Sequence, residues 1–142
     1  MKKILTTVKE INEKMNEISK NTWIELEYGY FNLTDNDKEL KIEILGYNEE
    51  NLNYPLIKII FYEPTFIKTN AGLGDFYKNT DDFINILNDE ECLKLTSEPL
   101  SKGNKDFGIL PEILFKIATD VKNNKFTYII ASSIQYELIN TY

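Results

Sequence analysis

The chain has 142 residues, 42% of them hydrophobic and 13% aromatic, with 16 basic and 23 acidic side chains for a formal charge of -7. That composition places it among globular rather than disordered proteins, and a chain this long buries roughly 68–70% of its unfolded surface, enough for one domain with its own core. Every basic residue is Lys, and an acidic chain is a poor nucleic-acid ligand because net repulsion opposes each phosphate contact.

There is no histidine, which removes His-dependent triads, His general bases and His metal ligands together. Cys92 is alone, so no intrachain disulfide and no Cys-rich zinc site is expected, and its neighbours Glu90 and Glu91 would raise rather than lower a thiol pKa. It reads as a small core residue. The start, MKKILTTVKEIN, has no apolar run of signal-peptide length, and no run approaches the ~18 residues of a membrane span. A reducing cytoplasm is the expected location, with no membrane partner.

Ile4, Leu5, Val8, Ile11, Met15 and Ile18 recur at helical spacing, which predicts an amphipathic helix from about Lys2 to Ser19. Trp23 to Leu33 alternates, with Ile24, Leu26, Tyr28 and Tyr30 on one face and Glu25 and Glu27 on the other; Gly29 marks a bulge. Thr34-Asp35-Asn36-Asp37 is a turn by composition. A second strand follows with Leu40, Ile42 and Ile44 inward, and Gly46 to Asn53 reads as a loop. Leu56 to Tyr62 is the most hydrophobic run and suits a central strand, with Phe66 to Thr69 resuming it at an edge. These strands form an antiparallel meander. Lys58, inside the central run, reads as a side chain at an edge or one reaching out to water.

Asn70 to Asn79 holds AGLGD, but without Gly-Lys-Ser/Thr it is a loop rather than a phosphate cradle. Thr80 caps a predicted helix that runs through Asp81, Asp82, Phe83, Ile84, Ile86 and Leu87. Asp89-Glu90-Glu91 would end it, at the wrong end of the helix dipole for three negative charges. Cys92 to Thr96 is a short predicted strand. A further helix is predicted from about Phe107 to Val121, regular from near Leu110, with Ile113, Leu114, Ile117, Ala118 and Val121 as its apolar face. Phe126 to Ala131 and Ile134 to Ile139 are strand patterns, joined as a hairpin or as one longer bent strand. The expected fold is a single α+β domain over residues 1–142. It has a mostly antiparallel sheet of five or so strands, an N-terminal amphipathic helix, one or two middle helices and a C-terminal strand pair.

Asp35-x-Asp37-x-Glu39 has the alternating acids of a calcium loop, but Leu40 stands where such a loop needs Gly and Gly46 where it needs Glu. No nucleophile elbow occurs, and 23 acids single out no catalytic pair. No catalytic residue, metal or cofactor is therefore predicted. The aromatics Tyr28, Tyr30, Phe31, Tyr47, Tyr54, Phe61 and Tyr62 are concentrated in the meander, a composition that sheet cores and cross-strand pairs account for first and interfaces second. The expected partner surface is Tyr47, Glu49, Glu50 and Tyr54, with Asp89, Glu90 and Glu91 second.

The pattern KELKIEIL, an acidic loop, PLIKIIFYEPTFIK and a late FTYIIASSIQYELI resembles small immunity proteins of bacterial polymorphic toxin systems. The resemblance covers roughly Trp23 to Phe66 and Phe126 to Ile139, is one of pattern and size, and transfers no functional residue. It implies a non-enzymatic acidic protein that binds and neutralises a protein partner, such as a basic toxin or nuclease. Two alternatives stand beside it: an acidic inhibitor that mimics nucleic acid, of the phage anti-defence kind, and a small carboxylate-dependent enzyme.

Overall fold

Side-chain alternation with a period of two decides most of this fold. The computed structural model describes residues 2–19, 24–29, 41–48, 56–69, 76–77, 82–120 and 125–139. In chain order the elements are α1 (Lys2–Ile18), β1 (Ile24–Gly29), β2 (Lys41–Asn48), β3 (Ile57–Tyr62), β4 (Phe66–Thr69), β5 (Phe76–Tyr77), β6 (Ile84–Leu87), α2 (Asp89–Thr96), a 3-10 turn (Lys105–Phe107), β7 (Ile113–Asp120), β8 (Lys125–Ala131) and β9 (Ser133–Leu138). The strands make two antiparallel sheets, β5-β1-β2-β3-β9 and β4-β8-β7-β6. The expected α+β class is present, with more strand than the sequence suggested.

The meander β1-β2-β3 is as expected, and β3 is central, between β2 and β9. Phe66–Thr69 is an edge strand, but of the other sheet. The last two strands do not pair with each other. β8 belongs to the four-stranded sheet and β9 to the five-stranded one, so they are the bent-strand alternative. β3 and β4 bend at the same place. β3 pairs with β9 and β4 with β8, so one two-stranded ribbon passes through both sheets. The bend is made by Glu63 in the left-handed region (φ 51), the buried Pro64, and Ser132. The Ser132 N–H and hydroxyl both donate to the Tyr62 carbonyl, at 3.0 and 3.2 Å. Strands that change sheets through such a bend make the corners of folded-over sheets.

The inner faces of both sheets meet one core. The five-stranded sheet supplies Ile24, Leu26, Ile42, Ile44, Ile57, Ile59, Phe61 and Ile134; the other supplies Ile84, Ile113, Phe115, Ile117 and Ile129. Phe61 and Phe115 meet edge to face across it, with ring centroids 5.3 Å apart. Helix α1 lies against β9 and β6 and adds Val8, Ile11, Met15 and Ile18. Leu5, expected on that face, is 53% exposed. It stands roughly 80° of helical rotation from the centre of the buried stripe. Asn12 takes a buried place instead. Its side-chain amide donates to the Ile84 carbonyl (2.9 Å) and accepts from the Ile84 N–H (2.8 Å), so it occupies the edge of β6 as a neighbouring strand would.

Two expected helices are strands. Ile84–Leu87 is β6, and the stretch from Ile113 is β7, not the helix drawn from Phe107 to Val121. Leu87 of β6 and Leu114 of β7 are packed on the outer face by α2, so these mostly apolar stretches fit a helical template as well as a strand. Cys92–Thr96, expected as a strand, is helical within α2. The expected features at Trp23, 30–40, 49–55, 70–75, Thr80, Asp81 and 121–124 lie outside the described residues. No helix among the described residues is long and apolar enough to cross a membrane.

Candidate functional site

Tyr47 is not in a loop. Strand β2 runs on through Gly46 and Tyr47 to Asn48, because Gly46 permits a close approach: a Cβ there would come within 2.9 Å of the Ile57 side chain and 3.1 Å of that of Ile24. Tyr47 therefore lies on the outer face of the five-stranded sheet, opposite Glu25 on β1. Its hydroxyl is hydrogen-bonded to the Glu27 carboxylate. Its pKa is raised above 10.0, first by burial, then by that bond and by the negative charges of Glu27 and Glu25.

Register sets the remainder of this face. One row across four strands reads Glu27, Leu45, Lys58, Glu137, and the next reads Glu43, Ile60, Gln135. Lys58 is on the outer face of a central strand rather than at an edge, and its ammonium is 3.9 Å from Glu43. The Lys41 ammonium lies 5.4 Å from the centre of the Tyr62 ring, whose hydroxyl donates to the Gln135 side chain at 3.2 Å. Four carboxylates and two ammonium groups thus border a strip of Tyr47, Leu45, Ile60 and Tyr62. Those four side chains are half-buried, and no described element packs over them. Such a surface suits a flat partner of opposite charge, with the apolar strip as its centre.

The second expected surface changes meaning. Asp89, Glu90 and Glu91 begin α2 rather than end a helix, so they stand at the favourable end of its dipole. Asn88 caps the helix, its side-chain oxygen accepting from the Glu91 N–H at 3.0 Å. Asp89 accepts from Lys102 Nζ at 3.0 Å and from the Leu100 N–H at 3.3 Å, and the Lys102 hydrogen bond above all holds its pKa below the usual 3.8. Glu90 is 4.0 Å from Lys94. Asp89 therefore ties down the following loop. Glu49, Glu50 and Tyr54, the other expected contact residues, lie outside the described residues.

That loop is what the sequence reading missed. Phe107, Ile109 and Leu110 are 78%, 54% and 59% exposed at its tip. Their spacing predicts them in or just before a helix. The available signal was turn chemistry on both sides of an apolar triplet: Gly103-Asn104 before it, Gly108 within it and Pro111 after it.

Cys92 is buried against Leu114 and Ile130, with its sulfur 3.6 Å from the Thr96 hydroxyl, as a core residue. Among the described residues no group of three or more His, Cys, Asp or Glu side chains is placed to hold a metal ion. Compared with known protein families, curated proteins and solved structures, the chain gives no match.

Proposed function

We propose that the protein is a non-enzymatic, cytoplasmic binding module that neutralises a basic protein partner, such as a toxin, through the outer face of its five-stranded sheet. The observation that carries this reading is the strip of Tyr47, Leu45, Ile60 and Tyr62, half-buried and uncovered by any described element, bordered by Glu25, Glu27, Glu43 and Glu137. Lys58 stands between Glu43 and Glu137 and breaks the row of carboxylates. That arrangement favours a protein surface of mixed charge over the unbroken acidic line that a nucleic-acid mimic would need.

The test is capture of the tagged full-length chain's partner from native lysate at low salt, followed by kinetics with the purified partner. One stoichiometric basic protein absent from a mock capture is expected. The double substitution Glu25→Lys and Glu27→Lys should slow its association and flatten the salt dependence of the rate. An empty capture, or unchanged association of the double variant, would remove this face as the binding surface.

A further inference from the structure

We infer that the turn carrying Phe107, Ile109 and Leu110 is a preformed anchor that enters an apolar, basic-rimmed socket on the partner protein. The inference rests on the reading of the chain as a protein-binding module but on a different surface. The turn is held in one shape. Asn104 and Ile109 exchange both backbone hydrogen bonds, at 2.8 and 2.9 Å, and the Asn104 side chain accepts from the Asp106 N–H at 3.0 Å. Gly103 and Gly108 are both left-handed, and a Cβ on Gly103 would come within 2.6 Å of the Ile109 carbonyl. The base is clamped by Glu112, whose carboxylate accepts from the Ser101 N–H (2.8 Å) and from the Thr65 hydroxyl (2.6 Å). Asp89 holds Leu100 and Lys102 beside it.

At the tip, a Cβ on Gly108 would meet nothing within 4 Å, so the apolar side chains stand on a convex point. Single exposed hydrophobics are ordinary, but three within four positions on a rigid turn form a patch whose burial awaits another molecule. The shape and the charge say which molecule. Three such side chains offer a few hundred Å² at most, well short of the ~800 Å² per partner of a stable interface, so tip-to-tip pairing of two copies would not hold. A convex apolar point is instead suited to a pocket, as the central anchor of a larger contact. Residues 88–112 carry six carboxylates against three lysines. That balance is repelled by anionic lipid and matched by a basic rim.

The test uses the full-length chain with a photoreactive phenylalanine analogue at position 107 and, as a control, at the exposed Lys9 of α1, irradiated in native lysate. The protein joined at 107 is then purified and titrated with wild type, Phe107→Ala and Phe107→Asp. The expected result is a heterologous protein whose joined segment is apolar and flanked by Lys or Arg. Either substitution should weaken binding about thirtyfold, with the melting temperature unchanged. A second copy of this chain as the adduct, no adduct at 107, an unchanged Kd, or sedimentation of the wild type with phosphatidylglycerol vesicles lost on Phe107→Asp would each overturn the anchor. Loss of affinity through Phe107 with none through Glu25 and Glu27 would keep the anchor and discard the sheet face; the reverse would discard the anchor and keep the face.

Discussion

The outer faces of the two sheets are built on the same register and have opposite fates. Across the four-stranded sheet one row reads Leu87, Leu114, Ile130, Phe66, and across the five-stranded sheet one row reads Glu27, Leu45, Lys58, Glu137. The apolar row is roofed by Cys92 and Leu95 of α2 and by Leu100, forming a second small core outside the main one. The charged row has no described roof. The difference comes from two or three side chains per row, since a single apolar residue flanked by charges leaves too little surface for a helix to bury. One face is therefore buried in a second core, and the other has no cover among the described residues.

The two outer faces differ most at their central leucines, Leu114 and Leu45. Leu114→Ala removes a side chain with no exposed surface and should cost about 2–5 kcal/mol in urea unfolding. Leu45→Ala, on the half-exposed strip, should cost about 1 kcal/mol or less. Equal losses would mean that the open face is covered after all. A smaller effect belongs to the roof itself. Asn88→Ala deletes the α2 cap and should cost about 1 kcal/mol. Asp89, on the same first turn, has a depressed pKa, so its contribution is present above its unfolded value and is lost as pH falls through the folded one. In Asp89→Asn, acid unfolding followed by circular dichroism should therefore show a weaker dependence on pH below about 4.

The same contrast sets what could be read from the sequence. The meander β1-β2-β3 was legible because one of its faces is wet, and a wet face writes strict alternation: Ile24, Leu26 against Glu25, Glu27, and Ile42, Ile44 against Lys41, Glu43. β6 and β7 were harder to read, because α2 packs on the outer-face Leu87 and Leu114, and Asn85 and Lys116 alone are too few polar positions to set a period of two apart from a helical one. Ile113, Phe115 and Ile117 face the main core while Leu114 faces the small one. The start of α2 was legible in principle, since Asn88 followed three residues later by Glu91 is a helix-start pattern, but a run of three acids drew attention to charge instead. Of the expected contact residues, Tyr47 is on the open face, reached through a glycine that looked like a strand end. The apolar turn at Phe107 was hidden because apolar residues in sequence suggest core, and only the hydrogen bonds around Asn104 and Glu112 show them held outward.

The finest measure of the open face is the Tyr47 hydroxyl. Its raised pKa means that the folded state keeps the proton longer than the unfolded chain does; the stability linked to it is full below the unfolded value near 10 and is lost as pH rises through the folded one. Glu27→Gln removes the nearest charge and the carboxylate acceptor while leaving the burial and Glu25 in place. The pKa should therefore fall toward 10.0 without reaching it, because burial is the largest cause. Glu25→Gln, which removes only a charge, should move it less. An ultraviolet titration of each variant against a Tyr47→Phe reference reads this shift among the nine tyrosines. Should Glu27→Gln leave the pKa unmoved, the carboxylates would not be acting on the strip, and the acidic border would lose its part in choosing a basic partner. If instead the shift is as argued, the same hydroxyl becomes a reporter of binding. A basic protein seated on the face would bring a positive charge against Glu27 while burying Tyr47 further, and the titration of this tyrosine, read against the Tyr47→Phe reference, would move on binding.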